Sequence, residues 1–342
     1  ACNRAAVDFV GINLVPGARR AVDVQTANNL VAALDERGLG PIVVCDRLRD
    51  GDKWRNLAKH AIADHVMPED LPEWLEWNGQ QLEMIFHMGA ISATTEKDVD
   101  LIMDSNLRLT MYLWHWCAEH GKRLVYASSA ATYGNGEQGF VDDDAPEKLK
   151  ALRPLNPYGW SKNLVDMNAV RLDDEGIAPS QWAGLKFFNV YGPNENHKGG
   201  MRSVAVQLYE QIRDNGRATL FKSHHPDYAD GGQMRDFVWV GDVVNVMLWL
   251  YDNPAVSGLF NCGSGEARSF GDLALAVFKA LEKEPQIDYV DTPAHIRKHY
   301  QYFTEADMGK LRRAGYDLPA TTLEEGVASY VLEYLAGDDI YR

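Results

Sequence analysis

The chain has 342 residues, with 49 Asp and Glu against 34 Lys and Arg, a formal charge of −15 at pH 7. So acidic a surface repels phosphate backbones and anionic lipid, which argues against general nucleic-acid or membrane binding. With 46% hydrophobic and 24% charged residues, the composition is that of a globular protein large enough for one α/β domain and a smaller lobe.

In chain order, Asn29 to Arg37 has helical spacing, Gly38 stops it, and Gly40 to Cys45 is an apolar, β-branched strand. Met84 to His87 predicts the next strand, and a helix follows from about Lys97 to His120. Then come a strand at Arg123 to Ala127, a helix at Tyr158 to Asp174 and a strand at Ala183 to Val190. This alternation implies βαβ units and a parallel sheet covered on both faces, with ligands beyond the carboxyl ends of the strands. Val238 to Val243 and Gly258 to Cys262 read as returns to the main sheet. Phe221 to Gln233 reads as a solvated loop; its His224-His225 pair is no metal site, because neighbours on a loop rarely face one point. No apolar run approaches the roughly 20 residues that cross a bilayer. No segment has the order of a signal peptide. Four scattered cysteines, Cys2, Cys45, Cys117 and Cys262, read as belonging to a reducing cytosol.

The chemistry gathers at Tyr158-Gly159-Trp160-Ser161-Lys162. Residues four apart share a helical face, so the Lys162 ammonium can favour the Tyr158 phenolate and make it a usable base. Upstream, YASSAATYG (126–134) ends a strand in small hydroxyl residues, of which Ser129 can address a substrate hydroxyl and Ser128 reads as part of a turn. Downstream, FFNVYGPNENHKGGM (187–201) ends another strand.

These motifs, with RPLNPYGWSK, MRDFVWVGDV and YQYFTEADMGKLRRAGYD, resemble the extended short-chain dehydrogenase/reductase family. Within it they resemble the branch of ADP-heptose 6-epimerases, over roughly residues 29 to 335. The resemblance implies a Rossmann-type doubly wound parallel sheet in residues 1–192, with further pieces near 236–262. A smaller, discontinuous substrate lobe would take 193–235 and 263–342. It implies bound NADP or NAD, one per subunit, and epimerisation at heptose C6 by oxidation and re-reduction on opposite faces, in lipopolysaccharide precursor synthesis. Tyr158 and Lys198 would be the two acid/base groups, Ser129 would orient the substrate oxygen, and Lys162 would bind the nicotinamide ribose. Asp46, closing the second strand, would accept from the adenosine ribose. Arg47 and Lys53 beside it would neutralise a 2′-phosphate. Met88, Gly89, Ala90, Asn106 and Val190 match coenzyme positions, and His87 reads as a packing residue. Asn189, Gly200, Gln207, Phe221, Arg235 and Tyr300 match substrate positions, with Arg235 a natural diphosphate clamp and the 221–233 loop a cover for that diphosphate. The family usually assembles, so a homo-oligomer is expected.

The first 28 residues depart from the family pattern of a strand followed by Gly-x-x-Gly-x-x-Gly. One alignment makes Gly11 the last glycine of that fingerprint and leaves no strand before it. Another, through Thr26-Ala27-Asn28-Asn29, retains no glycine. Natural divergence and a shifted reading frame both account for this. Two rival functions follow: another nucleotide-sugar epimerase, and a sugar-nucleotide-binding homologue deficient in coenzyme. Elimination of water is disfavoured, because Ala131-Thr132 stands where the family's dehydratases carry Asp-Glu.

Overall fold

Between residues 42 and 187 the apolar runs are short and rich in Val, Ile, Leu and aromatic residues, which suits strands buried on both faces. The computed structural model, which describes residues 7–13, 24–49, 51–94, 96–297 and 300–341, forms strands β1 (Val7–Asn13), β2 (Ile42–Asp46), β3 (Ile62–Val66), β4 (Leu82–His87), β5 (Arg123–Ser129) and β6 (Gln181–Phe187). Shorter strands follow: β7 (Asn189–Tyr191), β8 (Ala218–Phe221), β9 (Met234–Trp239), β10 (Gly258–Cys262), β11 (Ala267–Ser269) and β12 (Ile287–Val290). β1 to β6 and β10 make one parallel sheet in the order β10-β6-β5-β4-β1-β2-β3. The winding direction reverses between β1 and β4, which opens a crevice at their carboxyl ends.

The first helices are α1 (Val24–Glu36), α2 (Leu71–Asn78), α3 (Val99–Ile102), α4 (Leu109–His120), α5 (Pro146–Ala151) and α6 (Pro157–Asp174). The later ones are α7 (Val204–Asn215), α8 (Val240–Asp252), α9 (Phe270–Ala280), α10 (Ala294–Arg297), α11 (Gly309–Arg313) and α12 (Leu323–Ser329). One face of the sheet packs Val43, Ile85, Leu124 and Tyr126 against Leu113 and Trp114 of α4 and Val165 and Ala169 of α6. The alternate residues Val44, Met84, Phe86 and Val125 meet Leu30 and Leu34 of α1 and Val243, Met247 and Leu250 of α8. Both faces are therefore covered, as the alternation of elements predicts. A separate core joins α7, α9 and α12 through Leu208, Ile212, Val277, Phe278 and Val327. The division into a coenzyme domain and a discontinuous substrate lobe stays our proposal; these cores support it.

Four expectations need correction. The Ala183–Val190 run is two strands: it breaks at Phe188, whose N–H donates to Cys262 O at 3.1 Å, and β7 then joins β9 and β11 in a second sheet. Val238–Val243 does not return to the main sheet, because β9 pairs with β7 and β11 and the chain turns into α8 at Val240. The helix expected from Asn29 begins at Val24. The missing lead-in strand is present, since residues 7–13 are β1 itself, paired with β2 and β4. Gly11 consequently lies inside a strand and not in a phosphate loop beyond it. The following residues 14–23, where such a loop belongs, lie outside the described residues. Cys2 lies outside them too, while Cys45, Cys117 and Cys262 are buried in the core. Among the described residues no helix is long and apolar enough to cross a membrane.

Candidate active site

Tyr158 is the second residue of α6. Asn156 caps that helix, its Oδ1 accepting from Gly159 N at 2.9 Å, and Pro157 takes the first helical position. Gly159 fixes what the helix start can touch: a Cβ there would lie 2.5 Å from the Ala131 carbonyl oxygen. The bare glycine lets the first turn of α6 close onto the turn after β5, which begins at Ser129. Tyr158 and Ser129 then line one cavity of about 310 Å³, together with Asn189, Val190 and Lys198. One helical turn on, Lys162 is buried and its Nζ donates to Ala127 O at 2.6 Å. Ser128, read from sequence as part of a turn, is instead the penultimate residue of β5, where its hydroxyl donates to Asp166 in the core at 2.7 Å.

Lys198 reaches the cavity from a 3₁₀ stretch, Asn196–Met201. That stretch is pinned by buried Glu195, which accepts from Ser203 N at 2.5 Å, Ser203 Oγ at 2.6 Å and Tyr330 Oη at 2.8 Å. The Lys198 ammonium donates to Gln25 Oε1 at 2.8 Å, and Gln25 Nε2 donates to Gly192 O at 2.7 Å. A fully buried glutamine in the first turn of α1 therefore ties that helix to the segment carrying Lys198.

At the carboxyl end of β2, Asp46 is buried and its carboxylate meets Lys53 Nζ at 2.6 Å and Arg47 N at 2.7 Å. Burial raises the Asp46 carboxyl to about 6 despite these partners, and burial lowers the Lys53 ammonium from its usual range. Arg47 donates to Glu69 Oε1 from Nη2 and Nε, at 2.5 and 3.0 Å. The two cations expected to meet a 2′-phosphate are thus each paired with a carboxylate. Met88, Gly89 and Ala90 follow β4, and buried Asn106 braces this loop from behind. It accepts from Ile91 N at 2.8 Å and donates to Ile91 O at 2.9 Å and to Ser161 Oγ at 3.0 Å. With its amide occupied by the protein, Asn106 ties the loop after β4 to α6. His87 packs in the core with Thr110 at 3.0 Å.

Whether these residues suit a dinucleotide can be tested on their unsatisfied atoms. Asn28 Nδ2, Arg47 Nη1 and His197 Nε2 are buried without a hydrogen-bond partner. Asn28 belongs to the first turns of α1, Arg47 follows β2, and His197 neighbours Lys198. Buried donors without acceptors are costly, and phosphate oxygens are acceptors, so these three donors fit a phosphate-bearing coenzyme, while the neighbouring orphaned oxygens Asn29 Oδ1 and Asn56 Oδ1 call for donors.

The expected substrate positions fall into two groups. Asn189 lines the cavity with Tyr158 and Lys198. Arg235 and Tyr300 stand behind Phe270, another cavity residue: the guanidinium lies 5.6 Å from the Phe270 ring and 5.5 Å from the Tyr300 ring. Arg235 now donates to the backbone carbonyls of Met234 and Gln301, so a clamp on diphosphate requires it to exchange those partners. Phe221 ends β8 with an exposed ring, and its backbone oxygen receives Gln233 Nε2 at 3.3 Å, which closes the base of the 221–233 loop. Gln207 is turned to Arg202 O at 2.8 Å and Gly200 is exposed; neither lines this cavity. Among the described residues no three potential metal ligands gather. Sequence reasoning missed Gln25 and Glu195, and it missed Asp166 with Lys186, a fully buried pair at 2.6 Å beneath Ser128. Only spatial neighbours reveal them, because each partner is distant in the chain.

A relative in Nitratidesulfovibrio vulgaris named ADP-L-glycero-D-manno-heptose-6-epimerase is 50% identical over 316 residues, covering 91% of this chain and 95% of that protein. One of the same name in Fusobacterium nucleatum is 46% identical, covering 90% and 94%. Among solved structures, the Helicobacter pylori enzyme of that name superposes with a TM-score of 0.75 at 24% identity, covering 96% of each chain. The UDP-N-acetylglucosamine 4-epimerase of Methanobrevibacter ruminantium superposes at 0.76 with 18% identity, covering 96% and 97%. At such identities these superpositions speak for the fold alone. The sequence profile described as the NAD dependent epimerase/dehydratase family matches residues 25–263, a span that runs from the first turn of α1 past both acid/base candidates to the end of β10. On that match, and on relatives half identical over nine-tenths of its length, the chain belongs to the NAD dependent epimerase/dehydratase family.

Proposed function

We propose that this protein inverts C6 of the heptose in ADP-glycero-manno-heptose, D-glycero to L-glycero, by transient oxidation and re-reduction, supplying a lipopolysaccharide precursor. The observation that carries the reading is one cavity lined by Tyr158 from α6 and Lys198 from a separate segment, with Ser129 and Asn189 in the same lining. The names of the relatives at 46% and 50% identity support the substrate.

Bound NADP or NAD supplies reversible hydride acceptance. Tyr158 takes the C6 hydroxyl proton as the carbinol hydride departs, and Ser129 holds the oxygen. Lys162, fixed on Ala127 O, keeps a positive charge in the same helix turn and favours the phenolate. The ketone then offers its other face, where Lys198 donates a proton to oxygen as the hydride returns. Solvent exchange restores both groups. Arg47 and Lys53 beside Asp46 support NADP as well as NAD. One coenzyme per subunit and a homo-oligomer follow from the family resemblance, and the buried cysteines support a reducing cytoplasm.

The test is proton NMR at heptose C6 with the ADP-heptose as substrate. Tyr158→Phe should lose about 10²- to 10⁴-fold in turnover, the usual contribution of a general acid/base group, while still binding the sugar nucleotide. Lys198→Met should also lose turnover while binding added NADP as the parent chain does. Near-wild-type epimerisation by both variants overturns the reading.

A further inference from the structure

We propose that His197 is a phosphate contact for the bound dinucleotide, set between Lys53 at the ribose end and Lys198 at the catalytic end. The proposal rests on the coenzyme part of the reading above and not on its sugar. The 3₁₀ turn Asp52–Asn56, which follows β2, packs on the stretch Asn196–Met201. The link between them is Asn56 Nδ2, which donates to His197 Nδ1 at 3.2 Å. With the Asn56 amide nitrogen toward the ring, Nδ1 is assigned as the acceptor and the proton to Nε2, which is buried with no partner.

The groups facing this ring are Lys53, Lys198 and the Asn56 amide. Burial, with the Lys198 and Lys53 charges added, pushes the imidazole down to about 3, so the ring is a neutral N–H donor at ordinary pH. Lys53 has Asp46 as a partner and Lys198 has Gln25. The His197 N–H has neither carboxylate nor carbonyl. An acceptor carrying negative charge satisfies that donor and offsets the repulsion among the cations around it. A carboxylate from the protein would do the same, and among the described residues none is there. The place of the turn between the end of β2 and the start of α1 points to a phosphate of the dinucleotide. The pyrophosphate and the 2′-phosphate share this chemistry.

The test uses the full chain freed of nucleotide and titrated separately with NADP and NAD, without sugar, reading tryptophan fluorescence. His197→Ala should weaken binding by about 10- to 100-fold, the range for a hydrogen bond to a charged group. His197→Gln, which returns an N–H donor, should recover part of the loss. A loss confined to NADP assigns the 2′-phosphate; an equal loss for both coenzymes assigns the pyrophosphate. A second readout needs no variant: the His197 Nε2 resonance in nitrogen-15 spectra of the wild-type protein should move when NADP or NAD is added. Unchanged affinities in His197→Ala, or an unmoved Nε2 resonance, overturn the proposal alone. A wild-type chain that binds neither dinucleotide overturns it together with the coenzyme reading.

Discussion

Asp46 shows how one buried carboxylate makes coenzyme binding depend on pH. Its carboxyl is raised from the ordinary 3.8 to about 6 by burial, which outweighs the attraction of Lys53 and Arg47. If it accepts hydrogen bonds from the adenosine ribose, the bound state needs the carboxylate. Coenzyme affinity should then be full above pH 6 and fall toward tenfold per unit below it. The unliganded fold responds with the opposite sign. Because the folded value exceeds the unfolded one, the native state binds more protons between about pH 4 and 6, and this group favours the fold more as pH drops through that window. Calorimetric titration from pH 7.5 to 5, paired with thermal melts of the unliganded protein, separates the two effects. Asp46→Asn should flatten both profiles, and a wild-type affinity constant to pH 5 would remove Asp46 from the ribose site. This residue was legible from its place at the end of a strand. Its neighbours Arg47 and Lys53 were legible too, but the lift that burial gives its carboxyl was not, because a sequence gives spacing without the dielectric in which the charges meet. The pairing of Arg47 with Glu69, 22 positions away, could not be read from the chain.

Between elements, the decisive contact is that of α6 with the turn after β5. Tyr-x-x-x-Lys was found by its spacing, but spacing alone does not say what the tyrosine faces. Gly159 does, since any Cβ there would run into the Ala131 carbonyl oxygen at 2.5 Å. Gly159→Ala should therefore push the first turn of α6 away from Ser129. Overpacking of this kind costs about 1–3 kcal/mol, visible as a lower melting temperature. Turnover should fall more than KM rises, because Tyr158 and Ser129 must address the same hydroxyl. Steady-state kinetics with the ADP-heptose check this, and a variant with wild-type kcat would show that the contact does not set the tyrosine. The elements misjudged from sequence fail for a related reason. Ala183 to Val190 is one apolar run, and nothing in its periodicity reveals that Phe188 hands the chain to a second sheet. The segment after Trp239 is apolar enough for a strand, yet the tertiary context makes it α8, covering the sheet beside α1.

For the molecule as a whole, the parallel sheet and its winding were legible because alternating strands and helices admit few arrangements. The amino-terminal part was not, since its glycine pattern is absent and β1 had to be found by pairing with β2 and β4. The topology now states what that part has to do. With β1 between β4 and β2, the reversal of winding lies at its carboxyl end, where a pyrophosphate meets the start of α1. In this chain α1 opens Val24-Gln25-Thr26-Ala27, and the Gln25 side chain bridges Gly192 O and Lys198. A glycine in the first helical turn would let backbone N–H groups approach phosphate, whereas here a buried glutamine stands in that turn and holds Lys198. Replacing residues 1–28 with a strand followed by Gly-x-x-Gly-x-x-Gly-Ser should therefore tighten coenzyme retention and raise epimerase activity. The parent chain should lose its nucleotide during purification, and absorbance near 340 nm together with nucleotide released on denaturation compares the two. If the parent retains coenzyme stoichiometrically, the glycine loop is dispensable here. The Gln25–Lys198 contact is then part of the working site and no obstacle to it.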